Sequence, residues 1–385
     1  MRKNIIVIPF NVSWNWSTDY LNQTAFELSK KGNIIVCYLW GDTVYLKEKI
    51  HAHDFPKKTS KYSKNIYLVR PIYFIPFRRF KFIEKLNFSA NLLFLRFFTE
   101  IVYILRKCRK RVFWIFDPNL SPIYKYFGKK YFLLYDCVDF FGGHDEQWLC
   151  KKADLVVVNS HILQNHLQKF RKNVKLVPQG FRILDFAKKK YKHTVLKLKK
   201  PVIGFVGGVN KRLNFDLLLR LIKHNSKWNF VIWGPIQKWG KSDTTVQPKI
   251  KEILSLINVT AGESWKKEEI PEIISQFDIG IIPYDISQNF NKYCYPAKLF
   301  EYFYLGKPVI STPIEELKQF PNYVKTENNY KDWERTIKHL LSKPWPEKYK
   351  HQEKRLAIEN SWQRKIEEIL KYCNPEINSP KKDVL

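Results

Sequence analysis

VIGFVGGVNKRLNFDLL, residues 202–218, contains the pattern that recurs along the chain. The apolar run at its start is typical of a buried strand, and Gly207 and Gly208 then allow a sharp turn of the backbone. A helical pattern follows, starting near Leu213. A strand, a glycine turn and a helix in this order predict one unit of a parallel sheet that helices cover on both faces.

The same alternation extends on both sides of this stretch. Strand-like apolar runs in the first half lie at 4–10, 33–39, 65–70, 111–116, 130–136, 154–158 and 174–178. After a lysine-rich interruption, further runs lie at 202–208, 229–234, 258–263, 278–284 and 308–312. The sequence therefore predicts an α/β protein with two doubly wound, Rossmann-like domains facing a central cleft.

The domain boundaries are predicted from the breaks in this alternation. An N-terminal domain at 1–190 is followed by a linker at 191–200 and by a C-terminal sheet domain at 201–345. Residues 348–373 have helical spacing throughout, which predicts a helix at 346–373, and the polar segment 374–385 is interrupted by proline. We expect a C-terminal helix and then a flexible tail.

The charge of the chain is strongly positive. It contains 67 lysine and arginine residues against 36 acidic ones, a formal net charge of +31, whereas 45% hydrophobic residues exclude a disordered basic chain. Such a charge attracts nucleic acid, anionic membranes or phosphorylated substrates, although a solvated lysine-rich surface explains part of it. Six scattered cysteines without a C-x-x-C pair favour reduced, cytosolic thiols over disulfides or zinc.

A basic, aromatic region at 71–111 is a candidate membrane surface. Residues 71–88, PIYFIPFRRFKFIEKLNF, place aromatic rings beside Arg78, Arg79 and Lys81. This mixture suits an anionic leaflet, although single-stranded nucleic acid can use it too. Residues 92–105 predict a helix with a narrow polar stripe, buried against a sheet or at a membrane interface.

Loops that follow strands are the expected ligand sites of such sheets. Lys211 and Arg212 lie after the two glycines and can neutralise a diphosphate, although an ordinary turn can have the same composition. The fingerprint G-x-G-x-x-G is absent from the first loop of both domains, which argues against a nicotinamide or flavin cofactor. Trp14 and Trp16, after the first strand, either form an acceptor platform or pack internally.

Residues 291–310, NKYCYPAKLFEYFYLGKPVI, contain the strongest site signal. Pro296 can start a helix that Gly306 ends. Lys298 then lies in the first turn, which is unfavourable for a cation unless an anion binds there, and Glu301 lies on the same face and can accept both hydroxyls of a ribose. A Lys298–Glu301 surface ion pair is the alternative.

Three segments resemble, in order and spacing, the carboxyl-terminal domain of GT-B fold glycosyltransferases. They are FVGGVNKRLNFDLL, FDIGIIPY and YPAKLFEYFYLGKPVISTP. Residues 153–181 look like the segment that closes the amino-terminal domain of this family, and 359–370 look like its last helix, which crosses back onto that domain. The resemblance covers nearly the whole chain and is to the family 4-like enzymes of bacterial surface polysaccharide, or teichuronic acid, synthesis.

This resemblance implies roles for individual residues. Glu301 matches the glutamate that holds the donor ribose, Lys298 matches a cation on the donor phosphates, and the two glycines match the loop beneath them. Tyr293 occupies the position where many relatives have a second glutamate, so the stereochemistry of transfer stays open. The implied donor-binding residues are Gly207, Gly208, Lys211, Arg212, Tyr293, Lys298, Leu299 and Glu301.

YDCVDFF, residues 135–141, resembles a segment of bacterial polysaccharide glycosyltransferases of the same fold. A carboxylate here can activate a sugar hydroxyl, with Asp139 as the first candidate base and Asp136 as the second; either can instead cap the next helix. We expect no metal and no other cofactor, since Lys298, Arg212 and helix dipoles can stabilise a departing diphosphate.

The sequence thus predicts a glycosyltransferase of the hexosyltransferase class. It would transfer a sugar from a nucleotide-diphosphate sugar, with a UDP-sugar favoured, to a hydroxyl of a lipid-linked or polysaccharide acceptor. We expect it in the cytoplasm, peripherally bound to the inner face of the cell membrane, with no nucleic acid partner. A sugar-nucleotide epimerase of the same fold, or a non-catalytic basic protein that binds membrane or nucleic acid, is the alternative.

Overall fold

The computed structural model describes residues 3–12, 14, 19–45, 59–73, 80–187, 198–236, 246–262 and 269–378. The chain forms two compact units, each with its own parallel sheet. The first unit contains Met1–Pro178 and Trp362–Leu385, and the second contains Gln179–Ser361. The predicted α/β class with two doubly wound domains is confirmed.

The strands of the first unit are largely the apolar runs predicted from the sequence. The eight-stranded sheet has the order β10-β9-β8-β7-β1-β2-β5-β4, parallel except for the β4–β5 pair, and β3 pairs with β6 separately. The strands are β1 (Ile5–Phe10), β2 (Ile34–Leu39), β3 (Val44–Tyr45), β4 (Thr59–Ser63), β5 (Ile66–Val69), β6 (Ile72–Tyr73), β7 (Arg111–Ile115), β8 (Phe132–Cys137), β9 (Leu155–Val158) and β10 (Lys175–Leu176).

The helices of the first unit lie between these strands. They are α1 (Asp19–Lys30), α2 (Lys81–Leu105), α3 (Ser121–Lys125), α4 (His144–Lys152) and α5 (His161–Leu167). The strand order reverses between β1 and β7, because the chain builds outward from β1 in one direction and then returns to its other side. Ligands of doubly wound sheets bind beyond the carboxyl ends of strands at such a point.

The second unit has the Rossmann strand order β13-β12-β11-β14-β15-β16, with all pairs parallel. Its order reverses between β11 and β14. The strands are β11 (Val202–Val206), β12 (Asn229–Trp233), β13 (Val259–Gly262), β14 (Ile279–Ile282), β15 (Val309–Ser311) and β16 (Val324–Thr326). The helices of this unit are α6 (Phe215–His224), α7 (Gln247–Leu254), α8 (Ile270–Ser275), α9 (Asn289–Lys292), α10 (Lys298–Tyr304), α11 (Tyr330–Leu341) and α12 (Glu347–Glu359). The last helix of the chain, α13 (Trp362–Asn378), belongs to the first unit.

The chain passes from one unit to the other at two points, and both differ from the predicted domain boundaries. The packing of buried side chains into the two cores explains the difference. Phe181 and Phe186 are already buried in the core of the second unit, so the first crossing precedes residue 190. Ala357 of α12 belongs to the same core, whereas Ile366 and Ile369 of α13 are buried in the core of the first unit. The segment predicted as one helix is therefore two helices in different units.

Two predicted segments extend partly beyond the described residues. Residues 191–197 of the predicted linker lie outside them, and 198–200 lead directly into β11. The backbone of the predicted tail stays helical through Asn378, and the remaining residues lie outside the described part.

Helix α2 has both of the environments that the sequence left open. One face packs against the sheet, where Leu92 and Leu95 are fully buried, and the opposite face exposes large apolar side chains.

Candidate functional site

The first candidate site lies at the strand-order reversal of the second unit, beyond the carboxyl ends of β11 and β14. Gly207 and Gly208 follow β11, and the glycine backbone is held in place by its neighbour β12, since Gly207 N–H donates to the Trp233 carbonyl at 2.9 Å. A Cβ at Gly234 would lie only 2.1 Å from the Gly207 carbonyl oxygen. A side chain at Gly234 would therefore force the two strand ends apart.

Lys298 reaches over this glycine turn from α10. Gly207 has a φ of +147°, and a Cβ on it would lie 3.2 Å from Lys298 Cε and 3.4 Å from Nζ. The ammonium donates a hydrogen bond to the Tyr284 hydroxyl and lies 4.6 Å from the centre of the Tyr284 ring. Because Gly207 has no side chain, there is space for Lys298 to cross the loop.

Arg212 approaches the same tyrosine ring from the loop after β11. Its guanidinium carbon lies 4.5 Å from the Tyr284 ring centre and 4.4 Å from that of Phe290. Nε donates to Asn291 Oδ1 at 2.8 Å, and the fully buried Asn291 amide returns a bond to the Arg212 carbonyl at 3.0 Å. Two cations, Arg212 and Lys298, therefore contact one aromatic ring at the edge of the sheet.

Helix α10 is fixed on the sheet by Tyr302. The buried Tyr302 hydroxyl accepts from Val206 N–H at 3.2 Å and lies 3.3 Å from the Ile281 carbonyl, which joins α10 to β11 and β14. Helix α10 begins two residues after Pro296, whose carbonyl accepts from the Leu299 N–H at 3.1 Å, and Gly306 follows the last turn with a φ of +61°. Glu301 lies one turn beyond Lys298 and is half-buried.

Three other predicted donor residues lie in the same part of the second unit. Lys211 is half-exposed next to Arg212, and its carbonyl accepts from Gln288 at 2.8 Å. Tyr293 is half-buried at the end of α9. Leu299 is fully buried in the hydrophobic core, so its side chain packs internally and does not face a ligand.

The second candidate site lies at the carboxyl edge of the first unit's sheet. Asn11 follows β1 and donates to Asp117 Oδ2 at 2.7 Å across the strand-order reversal. Tyr20 lies near this pair. Burial is the main cause that raises the pKa of its phenol, and the negative charges of Asp139 and Asp117 raise it further. Sequence reasoning missed Asn11, Tyr20 and Asp117, although each follows a strand or begins a helix where a ligand loop is expected.

Asp139 belongs to a loop that a buried carboxylate holds in place. Glu146 Oε2 accepts from the Gly142 amide at 3.0 Å and lies 2.9 Å from His166 Nε2. Gly142 has a φ of +69°, and a Cβ there would meet the Phe140 ring at 2.7 Å. The half-buried Asp139 is thereby presented at the end of β8, near Tyr20.

Asp136, the second candidate base, is located in the interior of the first unit. It is fully buried, accepts from Trp114 Nε1 at 3.3 Å, and lies 3.5 Å from Lys365 Nζ of α13. Burial raises the pKa of Asp136, whereas Lys365 acts in the opposite direction. A general base must reach the substrate hydroxyl, so only Asp139 of the two fits that role.

The predicted acceptor and membrane residues fall in different places. Trp14 is buried in the core of the first unit, with its ring centre 5.4 Å from Phe10 and 5.1 Å from Tyr62, so it packs internally instead of forming a platform. Lys81 is exposed at the start of α2. Trp16, Arg78 and Arg79 lie outside the described residues.

No group of three or more histidine, cysteine, aspartate or glutamate side chains is arranged to hold a metal ion among the residues that the structure describes.

Comparison with solved structures identifies the class of fold. Sucrose-phosphate synthase from Thermosynechococcus elongatus superposes with a TM-score of 0.74 at 14% identity, over 98% of this chain and 100% of that one. Anabaena HepE, solved in complex with UDP and glucose, gives a TM-score of 0.68 at 11% identity, over 97% of this chain and 100% of that one. The protein has the GT-B fold, as the resemblance in its sequence implied.

Sequence comparison finds similarity to one protein family and one relative. Residues 200–343 match the family model described as glycosyl transferases group 1. The chain is also 26% identical over 236 residues to TuaH of Bacillus subtilis (strain 168), a protein named for a glycosyltransferase role in teichuronic acid biosynthesis. That match covers 58% of this chain and 57% of TuaH, so the chain matches little more than half the length of this relative.

Proposed function

We propose that the protein is a glycosyltransferase that moves a sugar from a nucleotide-diphosphate sugar to a hydroxyl acceptor. One observation supports this most directly: Lys298 and Arg212 both contact the Tyr284 ring, beside the Gly207 turn, at the strand-order reversal of the unit that matches the group 1 glycosyltransferase model. Two like charges at one ring are best stabilised by an anion placed against both. A diphosphate has the charge to do this.

The donor is then expected to extend along α10. Lys298 binds the phosphates, and Glu301, one helical turn away, accepts hydrogen bonds from the ribose hydroxyls. The two aromatic contacts and Asn291 hold Arg212 in one conformation before the donor arrives, which lowers the entropic cost of binding. A UDP-sugar is the favoured donor, as in a structure of HepE in complex with UDP-glucose.

The chemistry requires a base for the acceptor and stabilisation of the leaving group. Asp139 takes the proton of the acceptor hydroxyl, whose oxygen bonds to the anomeric carbon while the bond from that carbon to the diphosphate oxygen breaks. Lys298 and Arg212 stabilise the negative charge on the departing nucleoside diphosphate without a metal. Asn11, Tyr20 and Asp117 provide polar groups that can orient acceptor hydroxyls near Asp139.

The acceptor is proposed to be a lipid-linked or polysaccharide precursor of a cell-surface glycan. The named role of TuaH and the basic, aromatic region at 71–111 support this choice. The enzyme would then work in the cytoplasm at the inner face of the membrane, where such precursors are extended.

Calorimetric titration of the full chain with UDP, GDP, ADP, dTDP and CMP tests the donor site. We expect saturable binding of UDP and a loss of about tenfold or more in affinity in Glu301→Ala and in Lys298→Ala, because each removes charge-assisted hydrogen bonds. Lys292→Ala, an exposed lysine of the neighbouring helix α9, is the matched control and should bind normally. If none of the five nucleotides binds, the donor site and the transferase proposal are both wrong.

A further inference from the structure

Helix α2 carries an apolar face that the protein leaves exposed. Eight of the twelve exposed large hydrophobic side chains among the described residues lie within 80–105. Six of them recur at helical spacing on one face, which we call the α2 stripe: Phe82, Leu86, Leu93, Phe97, Ile101 and Ile104. Phe82, Phe97 and Ile104 are 70%, 66% and 68% exposed. An exposed row of large apolar side chains of this kind marks an interaction site.

The opposite face of α2 fixes the orientation of the stripe. The fully buried Leu92 and Leu95 pack inward, and Asn91 accepts from the Ile72 amide and donates to the Ile72 carbonyl, both at 3.0 Å. The helix therefore cannot rotate to hide the stripe without breaking this pairing with β6. Its length and composition would allow a membrane span, but these contacts keep one side of the helix on the folded unit. A helix anchored in this way can only lie in the plane of a bilayer surface.

The charges around the stripe favour an anionic partner. Five basic side chains are exposed at the ends of the helix and along one flank: Lys81, Lys85, Arg96, Lys107 and Arg109.

The carboxylates of α2 do not cancel the positive charge around the stripe. Glu100, the one beside the middle of the stripe, forms a two-pronged pair with Arg111, whose Nη2 and Nε lie 2.7 and 3.1 Å from Oε2. Although partial burial opposes it, hydrogen bonds from Arg111 and Tyr131 hold the pKa of Glu100 below its usual value, so its charge stays paired. Glu84 is the only other carboxylate of the helix. The rim therefore has a net positive charge.

We propose that the α2 stripe inserts into the headgroup and acyl boundary of an anionic bilayer, with the helix axis in the membrane plane and the flanking cations on lipid phosphates. The partner is a lipid surface rather than a second copy of the chain, because two copies with a formal charge of +31 repel each other whereas anionic lipid attracts both. This deepens the proposed function, since it holds the enzyme where a lipid-linked acceptor is found. It is tested without donor or acceptor.

The test is co-sedimentation of the full chain with vesicles of phosphatidylglycerol and phosphatidylcholine in equal parts. Ile104→Asp places a charge in the stripe, and we expect its partition coefficient to fall at least about tenfold, because an apolar contact is replaced by a group that the leaflet repels. Ile257→Asp is the matched control, since Ile257 is a fully exposed isoleucine of the second unit, and it should sediment like the parent. Both positions are exposed, so neither variant should lose thermal stability.

A second measurement reports insertion directly. All six cysteines are buried, so Leu93→Cys provides a single accessible thiol for a polarity-sensitive fluorophore. Its emission should shift to the blue on addition of anionic vesicles and less with pure phosphatidylcholine.

Three results would overturn the proposal: equal sedimentation of Ile104→Asp and Ile257→Asp, no emission shift, or a concentration-dependent dimer of the parent that Ile104→Asp dissociates without any lipid binding. UDP binding is measured separately, so failure of the donor site leaves this test intact.

Discussion

Asp136 and Asp139 show how a separation of three residues decides the role of a carboxylate. Asp136 is inside β8, where its oxygens meet the Trp114 indole and the Lys365 ammonium in a fully buried setting. Asp139 belongs to the next loop and remains half-exposed. The sequence identified the segment but not the division of roles, because the partner of Asp136 lies 229 residues further along the chain.

Substitution of each aspartate by asparagine should separate catalysis from stability. Asp139→Asn should lower the rate of sugar transfer about 100- to 10,000-fold, the usual contribution of a general base, while UDP affinity and the melting temperature stay unchanged. Asp136→Asn should instead lower the free energy of unfolding by roughly 3 to 5 kcal/mol, because it leaves the Lys365 ammonium buried without its carboxylate. Thermal denaturation and a transfer assay on both variants check this. A fully stable but inactive Asp136→Asn would reverse the assignment.

At the scale of elements, α12 illustrates what a helical pattern does not reveal. Its polar sequence correctly predicts a helix, but the sequence gives no sign that Glu353 points inward. Glu353 is fully buried; Trp345 Nε1 donates to its Oε2 at 3.1 Å, and Oε1 has no hydrogen-bond partner among the described residues. Burial raises the pKa of Glu353 to about 8, against the opposing effects of Trp345 and Lys350.

This buried carboxyl should make stability depend on pH. The folded state holds the proton more tightly than the unfolded chain, in which Glu353 titrates near 4.5. Its stabilising contribution is therefore complete below about pH 4.5 and is lost as the pH rises towards about 8. Glu353→Gln, which cannot ionise, should raise the melting temperature near pH 8 and much less near pH 5. Differential scanning calorimetry at both pH values measures this.

The control for that prediction is Glu334→Gln, since Glu334 is a partly exposed carboxylate of α11 in an ion pair with Lys338. Its effect should be small at both pH values, as for most surface ion pairs. An equal gain for Glu353→Gln at pH 5 and pH 8 would show that Glu353 does not titrate in this range.

For the whole molecule, the sequence predicted the arrangement of strands and helices better than it predicted the contacts between side chains. Continuous apolar runs identify the central strands of both sheets because those strands are buried on both faces. The edge strands β4 and β16 were missed, since a polar TSKYS and a short VKT lack that signal.

The same limit applies to the candidate site. Gly207, Arg212 and Lys298 were found from loop position and charge, whereas Tyr284 and Asn291 were not. Each of these two acts by contacting a residue distant in sequence, which local patterns do not encode.

The division of the chain into two units gives a prediction for its unfolding. Ile366 of α13 is fully buried in the core of the first unit, although it lies near the end of the chain, and Ile337 of α11 is fully buried in the core of the second. Either substitution by alanine should cost roughly 2 to 5 kcal/mol through lost contacts and a cavity. Because the two cores are separate, each variant should lower a different transition in denaturant unfolding.

Addition of UDP distinguishes the two transitions. The proposed donor residues all belong to the second unit, so UDP at 100 times its dissociation constant should stabilise that unit by about 2.7 kcal/mol. It should therefore raise the transition that Ile337→Ala lowers and leave unchanged the one that Ile366→Ala lowers, as followed by circular dichroism with and without nucleotide. A single transition that both variants and UDP shift equally would mean that the units unfold as one. A shift confined to the Ile366→Ala transition would place the nucleotide in the first unit and contradict the donor site around Lys298.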